Sequence, residues 1–459
     1  MESTVAEFWK VVLIPAPTPR WSGGRHIDRR DQYAERGVGQ RNRPTCSSPP
    51  RSSSPRPSPA HRGGARRAWL GALVAAALAS TALTGPAVAA SAAQNGDGNG
   101  NGSVAAAGRA GHHATQQQLD AAVSDGVPGG LAQVTDRDGV WNGAAGVADR
   151  TTGRERLPRD TYRIASLTKT FVATVLLQLE AEGRLDLDDT VESRLPGVVR
   201  GSGHDGRTVT VRQLLNHTSG IFNYNSDPEF RQKVAGDGFL TYRYNTWQPE
   251  QLIALAMSHP PYFAPGTDFH YSNTNYILAG MIVERVTGRP YGTEIERRIL
   301  RPLKLRATSA PGTDVRMPHP SGRAYSKLLS PDPAAEIHDV TELNPTVAGA
   351  SGSMISNSAD LQRFYRALLR GELLPAEQLT EMMDTVDVGA GAPSGYGYGL
   401  GLLRQQLPCG VEIWGHGGDT RGSQSAVAMT RDGSHSIAFN FNADWAGDTE
   451  KVVTAEFCG

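Results

Sequence analysis

Segments in which apolar and polar residues alternate lie near both ends of the foldable part of this 459-residue chain, and its long middle has helical spacing. Strand-like segments at 131–134 and 140–147 come early, and alternation returns only from Tyr396. Strands far apart in sequence can share one sheet when the intervening chain forms its own layer. The pattern therefore predicts an α+β fold: one antiparallel sheet from both chain ends, flanked by helices, with an inserted mainly helical lobe.

The boundaries of the expected elements follow from turn and helix-end signals. Asp138-Gly139 and Asp432-Gly433 are typical hairpin turns. We expect late strands at 396–403, 411–414, 423–429 and 436–441. We expect helices at 115–125, 170–182, 249–258, 273–286, 359–369 and 448–457. A cleft between the sheet and the helical lobe is the natural place for a ligand.

The first 114 residues differ from the rest of the chain. Residues 1–67, rich in Arg, Pro and Ser, predict a disordered leader. Residues 68–90 begin after Arg66-Arg67, contain an apolar stretch and reach the small-residue site Ala87-Val88-Ala89, which is typical of an export signal. Residues 91–114 predict a flexible linker, which leaves 115–459 as the folded domain. We expect secretion after cleavage, or a membrane anchor if the signal stays uncleaved. The long basic lead favours translation starting downstream of Met1.

Charge and cysteine content narrow the class of protein. The chain has 46 Lys and Arg against 46 Asp and Glu. A neutral balance argues against nucleic acid or an anionic membrane surface as the main partner. Cys46 lies in the leader, so Cys409 and Cys458 remain as an even pair in an oxidising compartment. This pair predicts a disulfide bond.

Ser166 and Lys169 form a Ser-x-x-Lys spacing at the start of a predicted apolar helix. Three residues are almost one helical turn, so both side chains share a face. A serine hydroxyl is a weak nucleophile unless a base takes its proton, and a buried lysine held neutral can be that base. The structural alternative is an N-cap serine beside a solvated lysine.

Two further short motifs carry possible site residues. Tyr271-Ser272-Asn273 precedes a predicted helix and offers a proton carrier and an orienting amide. His416-Gly417-Gly418 follows a strand expected to end at Trp414, and its glycines allow a backbone N–H to approach a reacting oxygen. Each motif alone is weak, because Tyr-x-Asn is a common turn and a lone histidine is more often structural.

In this order the three motifs resemble the serine β-lactamase and penicillin-binding-protein family, whose signature is Ser-x-x-Lys, Ser/Tyr-x-Asn and Lys/His-x-Gly. The likeness is greatest to secreted D-alanyl-D-alanine carboxypeptidases of actinomycetes and to alkaline D-peptidases. It runs from about residue 115 to 459 and includes segments 177–179, 183–188, 195–197, 210–213, 217–220, 271–275, 396–401, 409–410 and 457–459.

The resemblance implies catalysis through an acyl-enzyme. By position, Ser166 is the nucleophile, Lys169 and Tyr271 share the proton transfers, and Asn273 orients the lysine and the substrate amide. No metal and no cofactor are expected.

The resemblance also assigns roles to the last motif and to the residue after it. His416 takes the place of the cationic lysine of the commoner motif, and Gly418 belongs to the same motif. The oxyanion is expected to meet the backbone N–H groups of Ser166 and Asp419. The family likeness further implies that Cys409 and Cys458 are bonded.

Three positions depart from the carboxypeptidase pattern. Gly417 and Asp419 stand where those enzymes usually carry threonine. Leu403, with Arg404 beside it, stands where an arginine usually holds the terminal carboxylate of the substrate. Hydrolysis is expected to survive these changes, whereas discrimination for a free carboxylate is expected to weaken.

The expected function is an exported serine hydrolase acting on D-amino-acid peptides, with D-alanyl-D-alanine carboxypeptidase-like cleavage of cell-wall peptides as its specific form. The alternatives are a β-lactamase-like hydrolase or esterase of the same fold, or a slow-turnover penicillin-binding receptor. Expected partners are peptidoglycan-type or D-amino-acid peptides and β-lactams, without nucleic acid, and the protein is expected to be a monomer.

Overall fold

The computed structural model describes residues 111–389 and 395–459. The expected leader, the export signal and residues 91–110 of the expected linker lie outside these residues. The last linker residues do not form a loop, because the first described helix already begins at His113. His112, just before it, contacts Glu456 near the chain end through Nδ1 at 3.0 Å, which fixes the start of the domain.

Most of the strands belong to one large sheet, and the others form short two-stranded pairs. The strands are β1 Gly129–Asp136, β2 Gly139–Gly146, β3 Tyr162–Arg163, β4 Arg200–Gly201, β5 His204–Asp205, β6 Tyr325–Ser326, β7 His338–Asp339, β8 Ile355–Ser356, β9 Val386–Asp387, β10 Tyr396–Tyr398, β11 Leu403–Gln406, β12 Glu412–Thr420, β13 Ser423–Thr430 and β14 Ser436–Phe441.

The large sheet has eight strands in the order β2-β1-β14-β13-β12-β11-β10-β9. Every pair in it is antiparallel, and β1 from the start of the domain joins β14 from its end with Leu131 opposite Asn440. Both chain ends therefore build a single sheet, which confirms the predicted α+β architecture.

Two late strands differ from the sequence prediction. Residues 396–403 form a hairpin of β10 and β11 rather than one strand, because Gly399 donates to the carbonyl of Leu402 at 2.8 Å. Gly401 in this turn has φ +74°, and a Cβ there would lie 2.7 Å from the Tyr276 hydroxyl. β12 does not end at Trp414 but continues to Thr420.

The two hairpin turns also differ from their predicted positions or lengths by one residue or more. Asp136 pairs with Gly139, so the turn residues are Arg137 and Asp138 and the glycine opens β2. The later turn is longer than two residues, since Thr430 donates its backbone N–H to the carbonyl of His435 at 2.9 Å.

The helices occupy the middle of the described part of the chain and its two ends. The six helices predicted from sequence lie within two residues of their expected bounds. They are α1 His113–Ser124, α2 Thr168–Ala181, α3 Val191–Arg194, α4 Val211–Leu215, α5 Pro228–Val234, α6 Phe239–Tyr242, α7 Pro249–Met257, α8 Asn273–Thr287, α9 Tyr291–Ile295, α10 Arg301–Leu303, α11 Ser358–Leu369, α12 Ala376–Met383 and α13 Thr449–Cys458.

The helix α2 is the centre of the larger hydrophobic core. Its residues from Thr168 to Leu177 are all buried, so this helix is enclosed on every side rather than amphipathic. Phe171 stacks on Phe364 of α11 with ring centroids 3.7 Å apart. Because rigid packing fixes α2, it also fixes the side chains at its first turn.

Cys409 and Cys458 are joined by a disulfide bond with a Cα–Cα distance of 5.6 Å. Cys409 lies between β11 and β12, and Cys458 ends α13. The bond therefore ties the last helix to the sheet. Within residues 111–389 and 395–459, no helix is long and apolar enough to span a bilayer.

Candidate active site

Ser166 lies in a tight turn that leads from the sheet side of the domain into α2. The short strand β3 ends at Arg163, and a 3₁₀ turn at Ala165–Leu167 precedes the helix. Ser166 therefore lies in the 3₁₀ turn just before α2. Ala165 has φ +46°, a left-handed conformation that costs energy in a non-glycine residue. This strained turn presents the Ser166 side chain to a cleft.

Lys169 is fully buried and reaches back to Ser166. Its Nζ lies 3.1 Å from Ser166 Oγ, 2.7 Å from Asn273 Oδ1 and 2.8 Å from the carbonyl oxygen of Ser351. The structure thus brings together four residues that the sequence places up to 185 positions apart, counting from Ser166 to Ser351.

The surroundings of Lys169 favour its neutral form. Burial lowers the pKa of Lys169 well below its ordinary value of 10.5. Both Asn273 Oδ1 and the Ser351 carbonyl can only accept, so a neutral amine donates its two protons to them. The remaining lone pair then faces Ser166 Oγ, which is the geometry needed to receive the hydroxyl proton.

Tyr271 lies in the loop just before α8 and completes this group. Its ring lies beside the lysine, with Lys169 Nζ 4.7 Å from the ring centroid. Burial raises the pKa of Tyr271 far above its ordinary value, and interaction with the Ser166 hydroxyl offsets part of that rise. The phenol is therefore protonated at neutral pH and can donate a proton near the nucleophile.

His416 lies inside β12 and is 2% exposed. Its Nδ1 lies 2.5 Å from the carbonyl oxygen of Gly417, so Nδ1 carries the proton. Its Nε2 lies 2.9 Å from the Tyr398 hydroxyl, which donates to it. Burial, with a smaller effect of Lys169, lowers the pKa of His416 to about 3. His416 therefore occupies the position of a cation in the family motif but is neutral at pH 7.

The edge of β12 beyond Gly415 faces the nucleophile turn. β11 pairs with β12 only as far as Gly415, whereas β13 follows it to Thr420. A Cβ at Gly418 would lie 2.2 Å from the carbonyl oxygen of Ile164, so glycine is needed for this close approach. The backbone around Asp419 is thereby held against the Ser166 turn.

A cleft of about 90 Å³ opens at Ser166. Asn273, Ser351 and Asp419 line it near the nucleophile. Its outer wall is formed by residues between Asn225 and Trp247 and by the tip of the β12–β13 hairpin. Asp419 is an acidic side chain near the nucleophile, and arginines line the cleft farther out.

Arginines line the outer part of this cleft, but they are not the expected ones. Arg421 is bound to Asp444 by a 3.1 Å ion pair. Arg231 of α5 has no ion pair among the described residues, and burial together with Arg421 lowers its pKa. Leu403 and Arg404, the positions compared with the carboxylate-binding arginine of the family, do not line the cleft.

Three residues of this site were given no role by the sequence prediction. Ser351 supplies a carbonyl to Lys169 and has no distinctive sequence signal. Tyr398 and His217 lie in segments that carried the family likeness but were given no role. His217 is fully buried, and its ring centroid lies 4.2 Å from that of Tyr271. The backbone N–H of Ser272 donates to His217 Nδ1 at 3.3 Å, which helps to fix the Tyr271 loop.

No group of three or more His, Cys, Asp or Glu side chains in residues 111–389 and 395–459 is arranged to hold a metal ion.

Comparison with known sequences identifies proteins related to this chain. The model of the family described as Beta-lactamase matches residues 53–452. Protein flp of Staphylococcus aureus (strain MW2) is 30% identical over 211 residues, 45% of this chain and 40% of that protein. Penicillin-binding protein 4 of Amycolatopsis lactamdurans is 28% identical over 314 residues, 66% of this chain and 72% of that protein. The match to flp spans less than half of that relative.

Two solved structures share the fold over nearly their whole length. A D-stereospecific amidohydrolase from Streptomyces sp. is 61% identical with a TM-score of 0.72, covering 76% of this chain and 99% of that one. The D-amino acid amidase of Ochrobactrum anthropi SV3, complexed with L-phenylalanine amide, is 27% identical with a TM-score of 0.64, covering 74% and 97%.

Proposed function

The chain belongs to the Beta-lactamase family, and we propose that this serine hydrolase cleaves amides and short peptides of D-amino acids through an acyl-enzyme. The observation that carries the proposal is the buried Lys169 Nζ, 3.1 Å from Ser166 Oγ and held by Asn273 and Ser351. That arrangement supplies a nucleophile with its own base and leaves an open cleft for the acyl group.

In the proposed mechanism Ser166 Oγ attacks the substrate carbonyl while its proton passes to neutral Lys169. The backbone N–H groups of Ser166 and Asp419 stabilise the oxyanion. Tyr271, protonated and next to Ser166, relays a proton to the departing nitrogen, and the C–N bond breaks. A water molecule, activated by the same lysine and tyrosine, then attacks the ester and restores Ser166.

The charges of the cleft support a substrate with an amine close to the cleaved bond. Asp419 is a carboxylate beside the proposed oxyanion site, and it suits the ammonium group of an N-terminal residue better than a terminal carboxylate. Arg421 is already paired with Asp444. The names of the amidohydrolase and amidase relatives agree with an amide substrate. Carboxypeptidase-like cleavage of D-alanyl-D-alanine peptides is the narrower form of the same proposal.

A substrate panel tests the proposal directly. We expect kcat/KM for a D-amino-acid amide to exceed that for its L-enantiomer at least about 100-fold, which corresponds to roughly 2.7 kcal/mol in transition-state binding. D-alanyl-D-alanine peptides and short acyl esters complete the panel. Hydrolysis of simple esters with no activity on any D-amide would overturn the substrate class while leaving the serine chemistry intact.

A labelled β-lactam separates the alternatives within the family. Stable labelling of Ser166 indicates a slow-turnover penicillin-binding protein, and rapid loss of the label indicates a β-lactamase. We expect the second-order rate constant for β-lactam labelling to be lower than kcat/KM for D-amides. Label on another residue would contradict the assignment of Ser166 as nucleophile.

We also propose that the protein is exported, on the basis of the basic, apolar and small residues from Arg66 to Ala89 and of the Cys409–Cys458 bond. Sequencing the N-terminus of protein recovered from culture medium tests this. Full-length protein confined to the cytoplasm, with free thiols, would contradict export.

A further inference from the structure

Behind the nucleophile turn lies a second, smaller cavity that shares no lining residue with the substrate cleft. Its volume is about 20 Å³, room for one species of the size of a water molecule or a single-atom ion. Arg156, Arg163 and Arg323 line it together with neutral side chains, and no Asp or Glu does. The lining is therefore one-sided in charge.

Arg163 is the most unusual of these arginines. It is 4% exposed, and no carboxylate among the described residues lies within ion-pair distance of it. Its Nη2 donates to the carbonyl oxygens of Val315, Thr341 and Leu343 at 2.9, 3.3 and 3.2 Å. Its Nε and Nη1 are buried without an acceptor among the described residues. Donors that point away from every acceptor are costly in a protein interior.

Arg156 faces the same cavity and is also 4% exposed. Its Nη2 donates to Asn440 Oδ1 at 2.8 Å, and its Nε has no hydrogen-bond acceptor in the described part of the chain. Asp160 lies 3.9 Å from that Nε but is held more closely by Arg154, at 3.1 Å. Burial lowers the pKa of both Arg156 and Arg163 to about 10, so both remain cations at neutral pH without full compensation.

We propose that this cavity is a binding site for one small monovalent anion of the halide class, held between the guanidinium groups of Arg156 and Arg163. A buried charge is normally neutralised by a partner, and a single anion would accept from the unpaired N–H groups of both arginines. The small space favours a single-atom anion over a phosphate, a sulfate or a carboxylate ligand.

The site adjoins the segment that carries the nucleophile. The carbonyl of Arg163 accepts a hydrogen bond from Ser423 Oγ at 2.8 Å, and Asn440 donates to the same Ser423 oxygen at 2.9 Å. Arg163 is three residues before Ser166. An anion here would brace β3 against β13, and with it the turn that positions the Ser166 hydroxyl.

Thermal unfolding in sodium chloride and in sodium gluconate at equal ionic strength tests the inference. Chloride should raise Tm saturably, because at about 100 times its Kd a ligand that binds only the folded state shifts the unfolding constant about 100-fold. Bromide should act like chloride. Identical Tm values in chloride and gluconate at every concentration would overturn the proposal and leave an ordered water as the occupant.

Two variants locate the effect. Arg163→Gln should abolish the chloride dependence of Tm. Arg156→Gln should also abolish it, and this variant serves as the test if Arg163→Gln loses too many hydrogen bonds to fold. Arg323→Gln is the matched control, since Arg323 lines the same cavity but is paired with Asp149 and Asp339 at 3.4 and 2.7 Å. A chloride response that survives both Arg163→Gln and Arg156→Gln would place the anion elsewhere.

Anomalous diffraction from the unmodified protein crystallised in bromide supplies an independent readout. A peak in the cavity between Arg156 and Arg163, together with the saturable Tm response, is the expected result. No peak overturns the proposal. A peak without any Tm response indicates an adventitious ion only and overturns it as well.

Discussion

The basic side chains at the inner and outer parts of the substrate cleft differ in charge. At the inner end, Lys169 and His416 are buried groups whose pKa values are lowered, which favours the neutral form of the lysine and leaves the histidine neutral near pH 7. At the outer end, Arg421 forms an ion pair with Asp444, and Arg231 lies near it without an ion pair among the described residues.

This difference suggests that the inner end carries out the reaction and the outer end selects the substrate. Removing charge at the inner end creates a base that can accept a proton, which any acyl transfer at Ser166 requires. Keeping charge at the outer end leaves groups that can attract or repel parts of a substrate. Changes at the inner end should therefore abolish turnover, whereas changes at the outer end should alter which substrates are preferred.

The strongest test of the inner end is Ser166→Ala. Losing the nucleophile should lower kcat by about 10,000-fold or more and abolish covalent labelling, because the remaining groups cannot form an acyl-enzyme. The fold should survive, as judged by circular dichroism and Tm. Arg231→Gln is the matched control, since it changes the outer end and should leave the chemistry competent. A β-lactam adduct on the Ala variant would refute the assignment.

Gly418→Ala tests whether the inner end depends on close backbone approach. The added Cβ would lie 2.2 Å from the carbonyl oxygen of Ile164, so β12 must move away from the nucleophile turn. We expect kcat to fall about 100- to 1,000-fold, as for loss of one oxyanion donor. Gly111→Ala is the control, because a Cβ at Gly111 has no neighbour within 4 Å. Unchanged kcat would show that β12 can shift without cost.

The pH dependence of the free energy of unfolding tests whether His416 is held neutral in the folded protein. The pKa of His416 is lowered from 6.5 to about 3. Below pH 6.5 the unfolded chain therefore binds a proton at this residue that the folded protein does not bind. Stability should therefore fall as pH falls, by about 2 kcal/mol between pH 6.5 and about pH 5 from this residue alone.

Urea unfolding across that pH range, compared with His416→Gln, isolates this contribution. The variant should show a flatter pH dependence, although buried His217, whose pKa is also lowered, leaves a residual slope. Parallel curves for the two proteins would mean that His416 is not held neutral.

The smallest expected effect concerns the outer end. We expect D-amino-acid peptides with a free C-terminal carboxylate and their amidated forms to differ in kcat/KM by no more than about tenfold, roughly 1.4 kcal/mol. Arg421 is occupied by Asp444, and Asp419 adds a negative charge to the cleft. A hundredfold preference for the free acid that disappears in Arg231→Gln would show that Arg231 holds the carboxylate.

Much of the fold follows from local sequence patterns. The helices at 170–182 and 273–286 were predictable because long apolar periodicity and end signals act over a few residues. The hairpin β10–β11 was not, because Tyr396–Leu403 alternates like one strand and only the tight packing of Gly401 against Tyr276 reveals the turn. Strand ends depend on neighbours that are distant in sequence, which is why β12 was expected to end too early.

The sequence by itself determined the nucleophile and base candidates, Ser166 and Lys169, since their spacing is a property of one helix start. It also determined the two-ended sheet, through the positions of its alternating segments. Only the tertiary structure decided that Lys169 is enclosed by Asn273 and Ser351, that His416 is neutral, and that Arg231 rather than Arg404 lines the cleft. Burial and charge interactions join residues far apart in the chain, so they arise only when the fold brings those residues together.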